Sequence, residues 1–91
     1  MMKIEFSPTF QSKLKQIKKN NLKLFQKILK QAKLFQINPN HPSLRNHKLS
    51  GHLRNTRSLS VSMNIRVLYN IDSNGSAYFF DIGTHDEIYK K

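Results

Sequence analysis

The sequence predicts an α+β domain in which an N-terminal strand and a helical hairpin pack on one face of an antiparallel sheet of about four strands. Three observations lead there. Apolar residues recur at helical spacing early in the chain, the later part alternates apolar and polar residues with period two, and a cluster of turn formers separates the two regimes. At 91 residues the chain holds a single domain, residues 1–91, with a core that is adequate but not generous.

Taken in order, "KIEF" alternates and is stopped by "SP", which reads as a short opening strand. Ser7 caps a first helix, with Pro8 at the first helical position, where its missing N–H costs nothing. Phe10, Leu14 and Ile17 form its inward stripe, and "KKNN" ends it. A second, longer helix is expected to bury Leu22, Phe25 and Leu29, joined by Ile28, Ala32 and Phe35, and "INPN" closes it. Its outer face is read as carrying Lys19, Lys23, Lys27 and Lys30, a row more often solvated than functional. The loop "NPNHPSLRNHKLSGHL" follows, and then "RNTRSLSVS", "IRVLYNI" and "SAYFFDI" read as three strands of a meander. The Asn-Gly pair of "DSNG" suits a primed hairpin turn. On the middle strand Ile65, Val67, Tyr69 and Ile71 point one way and Arg66, Leu68 and Asn70 the other. Setting the apolar side against the helices leaves Arg66, with the hydroxyls of Thr56, Ser58 and Ser60, on an open face.

Composition narrows the partners. Lys and Arg number 16 against five acids, a formal net charge of +11, and between Glu5 and Asp72 there is no acid while thirteen Lys and Arg fall in that interval. Such a field favours polyanions, nucleic acid above all, or an acidic protein that covers the patch. The hydrophobic fraction of 37% with six Phe and three Tyr argues for a folded chain. Without cysteine there are no disulfides or thiolate zinc sites. The apolar runs are too short to cross a bilayer and "MMKIEFSPTF" lacks a signal-peptide core, so a soluble cytoplasmic domain without a membrane partner is expected. His41, His47, His52, His85 and Asp86 show no ligand spacing on a regular element, and no phosphate loop or Ser-His-Asp order occurs, so neither metal nor cofactor is expected.

The order strand, two helices, three strands, together with "HPSLRNHKLSG", "IRVLY" and "FFDIGTHDEIY", resembles the RelE/ParE superfamily of bacterial type II toxins, most closely its RelE/StbE and YafQ-like messenger-RNA interferase branch. The resemblance runs from Lys3 to Tyr89. It implies a RelE-like fold, a ribosome-dependent endoribonuclease that cuts mRNA in the decoding site, and a cognate acidic antitoxin. Metal-free cleavage of this kind needs a base for the 2′-hydroxyl, an acid for the leaving 5′-oxygen and cations for the phosphorane.

Imidazole suits either proton role, since its ordinary pKa lies near 6.5. His85 matches the catalytic histidine of the "GTH" motif, and Tyr89 matches the family's terminal aromatic. If that segment is helical, the two lie four residues apart on one face. Arg66 matches the arginine of an Arg-apolar-apolar-Tyr strand and would clamp phosphate in the bidentate way that lysine cannot. His47 matches a histidine at the groove rim, with Lys48 beside it for phosphate attraction, and Arg45, Arg54 and Arg57 are candidates for RNA backbone contacts. The competing readings are a surface histidine at 85, an idle loop histidine at 47, a phenol that only packs the terminus and an ordinary surface arginine at 66.

Where relatives place basic or histidine side chains, this sequence has Ser58 and Ser60, and Asn64 stands where YafQ-like members have an aspartate. Hydroxyls can position a phosphate but supply neither charge nor a neutral-pH base. Three outcomes stay open: His47 and His85 divide the proton work, the enzyme is slow, or the chain is no nuclease. The alternatives in function are a ParE-like toxin that poisons gyrase, against which "THDEIY" speaks, and a basic nucleic-acid-binding domain without catalysis.

Overall fold

A computed structural model describes residues 1–49 and 55–89, the latter without the side chain of Tyr89. Its elements are β1 (Ile4–Phe6), α1 (Pro8–Asn20), α2 (Leu22–Ile37), a 3₁₀ turn (Pro42–Leu44), β2 (His47–Lys48), β3 (Arg57–Ser60), β4 (Ile65–Ile71), β5 (Ala77–Thr84) and α3 (His85–Tyr89). They build two helices on a five-stranded sheet of order β1-β5-β4-β3-β2.

The helix ends follow from their capping residues. Ser7 Oγ accepts the Phe10 N–H at 3.0 Å, and Pro8 opens α1. Asn21 serves both helices: its N–H reaches Ile17 O at 2.8 Å to close α1, and its Oδ1 accepts the Leu24 N–H at 3.1 Å to open α2. A side-chain cap of this type is worth about 1 kcal/mol. Lys19 therefore belongs to α1, not to the outer face of the second helix.

The buried stripe of α2 is rotated from the expected one. Leu22 is 56% and Leu29 45% exposed, while Ile28, Gln31 and Phe35 are buried. The physical reason is Gln31. Its Nε2 donates to Ser60 O at 3.1 Å, so a polar residue sits in the core-facing row Leu24-Ile28-Gln31-Phe35 and disguises it as a polar face.

The sheet departs from an all-antiparallel one at its first strand. β1 pairs parallel to β5, with Ile4 opposite Ala77 and Phe6 opposite Phe79, while every other pair is antiparallel. β2 adds a two-residue edge strand where a loop was expected, and β5 runs past Ile82 to Thr84. Between β4 and β5 the register shifts: Leu68 faces Asp81, but Tyr69 faces Phe79. This bulge lets Phe79 and Ile82, three residues apart, both face the helices. The hairpin turn is not primed, because only Gly75 takes a positive φ, 82°, and Asp72 Oδ1 accepts the N–H groups of Asn74 and Ser76 at 2.9 and 3.1 Å. A three-residue turn ending in a left-handed glycine fits these bonds.

The core gathers Phe10, Ile28, Phe35, Leu59, Val67, Tyr69 and Phe79, with ring centroids of Phe35, Tyr69 and Phe79 within 5.1 to 5.7 Å of one another. Lys13 ties α1 to β5 through an ion pair with Asp81, whose side chain is only 4% exposed, and also donates to Ile82 O at 3.3 Å.

The far face of the sheet is not open as expected. Ser58 is fully buried, Ser60 and Leu68 nearly so, and Ile88 of α3 is 2% exposed. α3 folds back onto β5 because Gly83 leaves room: a Cβ there would lie 3.1 Å from Glu87 Oε1 and 3.3 Å from Ile88 Cγ2.

Candidate nucleic-acid interface

Strand register decides which candidates share a surface. Residues directly opposite on neighbouring strands point to the same face. One row runs His47, Ser58, Leu68, Asp81, and the next runs Ser60, Arg66, Gly83. Arg66 therefore stands on the face over which α3 folds at Gly83. His85 opens α3 directly after Thr84, which pairs with Ile65. The guanidinium strand and the imidazole helix thus meet at one end of one face.

Arg66 is half-buried and its Nη1 donates to Ser60 Oγ at 3.2 Å. That bond draws it towards β3 and leaves its remaining donors for a ligand. His85 is mostly exposed, 69% for its side chain, with Nδ1 3.8 Å from Asp86 Oδ1. A contact so exposed holds the ring only loosely. His47 sits exposed on β2 at the opposite edge. Three strand spacings separate β2 from β5, roughly 14 Å, so the two histidines flank the Arg66 position from opposite sides.

α3 is fixed at its start by a reciprocal pair. The Glu87 N–H donates to Thr84 Oγ1 at 3.2 Å, and the Thr84 N–H donates to Glu87 Oε1 at 2.7 Å. This capping box is written in the sequence as "THDE". The Thr84 backbone hydrogen bond holds the Glu87 carboxyl below its usual range, with the Thr84 hydroxyl assisting.

The other candidates take different places. Lys48 and Arg57 are paired with each other, and Arg57 faces Tyr69, so by alternation both lie on the side opposite Arg66. There burial raises the pKa of the Tyr69 phenol, and the nearby Arg57 charge offsets it only in part. Tyr69 Oη donates to Asn46 Oδ1 at 2.7 Å. Arg45 is exposed in a left-handed conformation, φ 44°, closing the 3₁₀ turn. Arg54 lies outside the described residues, as does His52. Tyr89 ends α3 four residues from His85, as a shared face requires, but its side chain is outside the described part.

Sequence reasoning missed Ser60 as the partner of Arg66, and Gln31 beneath it. Ser60 was legible as a strand residue but not as a hydrogen-bond acceptor, which depends on pairing.

The sequence profile of the bacterial type II toxin–antitoxin toxin YafQ matches residues 2–90. The chain belongs to the YafQ family of toxins. No curated protein sequence matches it. Solved structures of similar fold include the YoeB/ParE toxin from Agrobacterium tumefaciens, at TM-score 0.79 and 14% identity, covering 92% of this chain and 99% of that one. The YoeB–YefM complex from Staphylococcus aureus follows at 0.75 and 24%, with 93% and 98% covered. The DinJ–YafQ toxin–antitoxin complex from E. coli gives 0.74 and 20%, with 97% of each chain covered. At these identities the likeness is one of fold, and it agrees with the RelE-like architecture the sequence implied. Among the described residues of this YafQ-family chain no helix is long and apolar enough to cross a membrane.

Proposed function

We propose that this toxin is a ribosome-dependent endoribonuclease that cleaves mRNA without a metal, and that a cognate acidic antitoxin restrains it. The observation that supports the reading is that Arg66 stands on the sheet face over which α3, the helix that His85 opens, folds back. Within it, Arg66 binds the non-bridging oxygens of the scissile phosphate and stabilises the extra negative charge of the phosphorane. The 2′-oxygen forms its bond to phosphorus as a base takes its proton. The P–O5′ bond breaks as an acid protonates the departing oxygen, leaving a 2′,3′-cyclic phosphate and a 5′-hydroxyl. His85 fills one proton role, and Tyr89 lies one helical turn beyond it. His47, on the same face across the sheet, is the candidate for the other. Ser58 takes no part, being fully buried. Lys48, Arg45, Arg54 and Arg57 remain candidates for RNA backbone contacts, with Lys48 and Arg57 restricted to a strand that wraps the β2 edge.

The antitoxin is supported by the partners named in two solved relatives, YefM and DinJ, and by the absence of acid between Glu5 and Asp72, which leaves a wide cationic surface to neutralise. Purified protein added to ribosomes translating a defined message is expected to cut it in the A site, and His85→Ala to abolish the cut. Intact message with trapped gyrase–DNA complexes would assign the ParE-like activity instead, and neither effect would leave a binding domain.

A further inference from the structure

A cleft of about 670 Å3 opens beside β3 where β2 stops, away from His85. β2 covers only Arg57 and Ser58, so the edge of β3 beyond them carries no strand. Gln31 fills part of that edge by donating to Ser60 O, which fixes α2 along one wall. Lys27 and Lys30 of α2 line it, as do His41 and Arg45, the two ends of the 3₁₀ turn. His41 Nδ1 accepts the Ser43 N–H at 3.1 Å, which leaves its proton to Nε2 and makes that atom a donor. Among the described residues no carboxylate lines the cleft, and none occurs in the sequence between Glu5 and Asp72 to balance it. Its lining also includes Met63, 91% exposed, an apolar side chain at a cationic site.

We propose that this cleft is a nucleotide subsite, in which Lys27, Lys30 and Arg45 hold a phosphate and Met63 lies against a base. The inference rests on the ribonuclease reading for its place in the substrate path. Ser60 belongs to both sites: its hydroxyl holds Arg66 and its carbonyl holds Gln31 at the cleft wall. A strand with one phosphate at Arg66 reaches the cleft by crossing the edge of β3 beyond Ser58, at Ser60. The compact volume lies within the range of small-ligand pockets and suits one nucleotide unit, not the length of an acidic helix. Convergence of cations from α2 and the 3₁₀ turn, with an apolar contact among them, matches a phosphate joined to a base better than it matches a carboxylate side chain.

The test is binding of a labelled single-stranded 2′-O-methyl RNA, which cannot be cleaved, followed by anisotropy over a range of salt. Lys27→Gln with Lys30→Gln, and separately Arg45→Gln, are compared with Lys15→Gln with Lys19→Gln, which removes equal charge from α1. The cleft variants are expected to lose roughly tenfold in affinity and to flatten the salt slope by about one per cation removed, with the control losing much less. Thermal melting of each variant confirms that it folds. Displacement of the RNA by adenosine monophosphate would extend the site to free nucleotides, while resistance to it would confine the site to the RNA strand. Losses no larger than the control's, or displacement by polyglutamate with no dependence on the cleft, would overturn the subsite. Ribosomal cleavage is scored on the same proteins. Cutting without cleft-dependent binding refutes the subsite alone, and cleft-dependent binding without cutting refutes the nuclease reading alone.

Discussion

At the scale of single residues, the orientation of Arg66 depends on a hydroxyl. Ser60→Ala removes the acceptor of its Nη1 bond, a contact worth about 1 kcal/mol, so the guanidinium samples other rotamers in the absence of RNA. Cleavage is expected to fall about fivefold in kcat with little change in KM, and Ser60→Thr to restore it; equal losses in both variants would mean only a packing role. Glu87 carries a pH signature of a different kind. Its folded pKa is depressed by the Thr84 N–H, so its support of α3 is full above the ordinary carboxylate pKa and is lost as acid passes below that value. The protection factor of the Thr84 amide, measured by NMR hydrogen exchange, should fall over that acid range in the native chain and show no such step in Glu87→Gln. The serine at 60 could be read from the sequence as a strand residue, but its bond to Arg66 depends on register, which no local pattern states. The Thr84–Glu87 box, by contrast, stands openly in "THDE" as a helix start.

Among the elements, α2 shows where periodicity misleads. Leu22-Phe25-Leu29 and Leu24-Ile28-Phe35 both have helical spacing, and the second is interrupted by the polar Gln31. Burial chose the second because Gln31 finds an acceptor in Ser60 O, on the strand beneath. Phe35→Ala is accordingly expected to cost about 3–5 kcal/mol in chemical denaturation, while Leu22→Ala and Leu29→Ala stay within about 1 kcal/mol. Similar losses in all three would contradict the phase described. α1, β4 and the presence of a hairpin after it were legible because caps, alternation and turn residues act locally, although the turn is not the primed one that Asn-Gly suggested. The bulge between β4 and β5 and the two-residue β2 were not, since each exists only through its partner strand. Gly83 belongs with them. Its need for a bare Cα arises from a helix that returns over it, and Gly83→Ala is expected to lift α3 and depress cleavage more than stability.

On the scale of the whole molecule, two opposing effects of charge should separate cleanly. A formal charge of +11 on 91 residues repels itself in the folded state and attracts polyanions outside it. Raising salt from about 20 to 200 mM is expected to increase the melting temperature while weakening RNA binding by orders of magnitude. A melting temperature that falls with salt would mean that ion pairs such as Lys13–Asp81 outweigh the repulsion. Of the candidate site, the sequence named Arg66 and His85 but left open whether the segment after Thr84 is a helix, and could not tell that Lys48 and Arg57 point away from Arg66, because that division follows from which edge β2 joins.

The parallel union of β1 with β5 has a bearing on how such a toxin comes into being. Ile4 to Phe6 leave the ribosome well before the neighbour they need, which spans residues 77–84. A nascent chain can form its helical hairpin early, but its sheet cannot knit until β5 has been made. The segment that bears His85 follows that late strand directly. The face that carries Arg66 is therefore completed only after β5 and the segment behind it have been made.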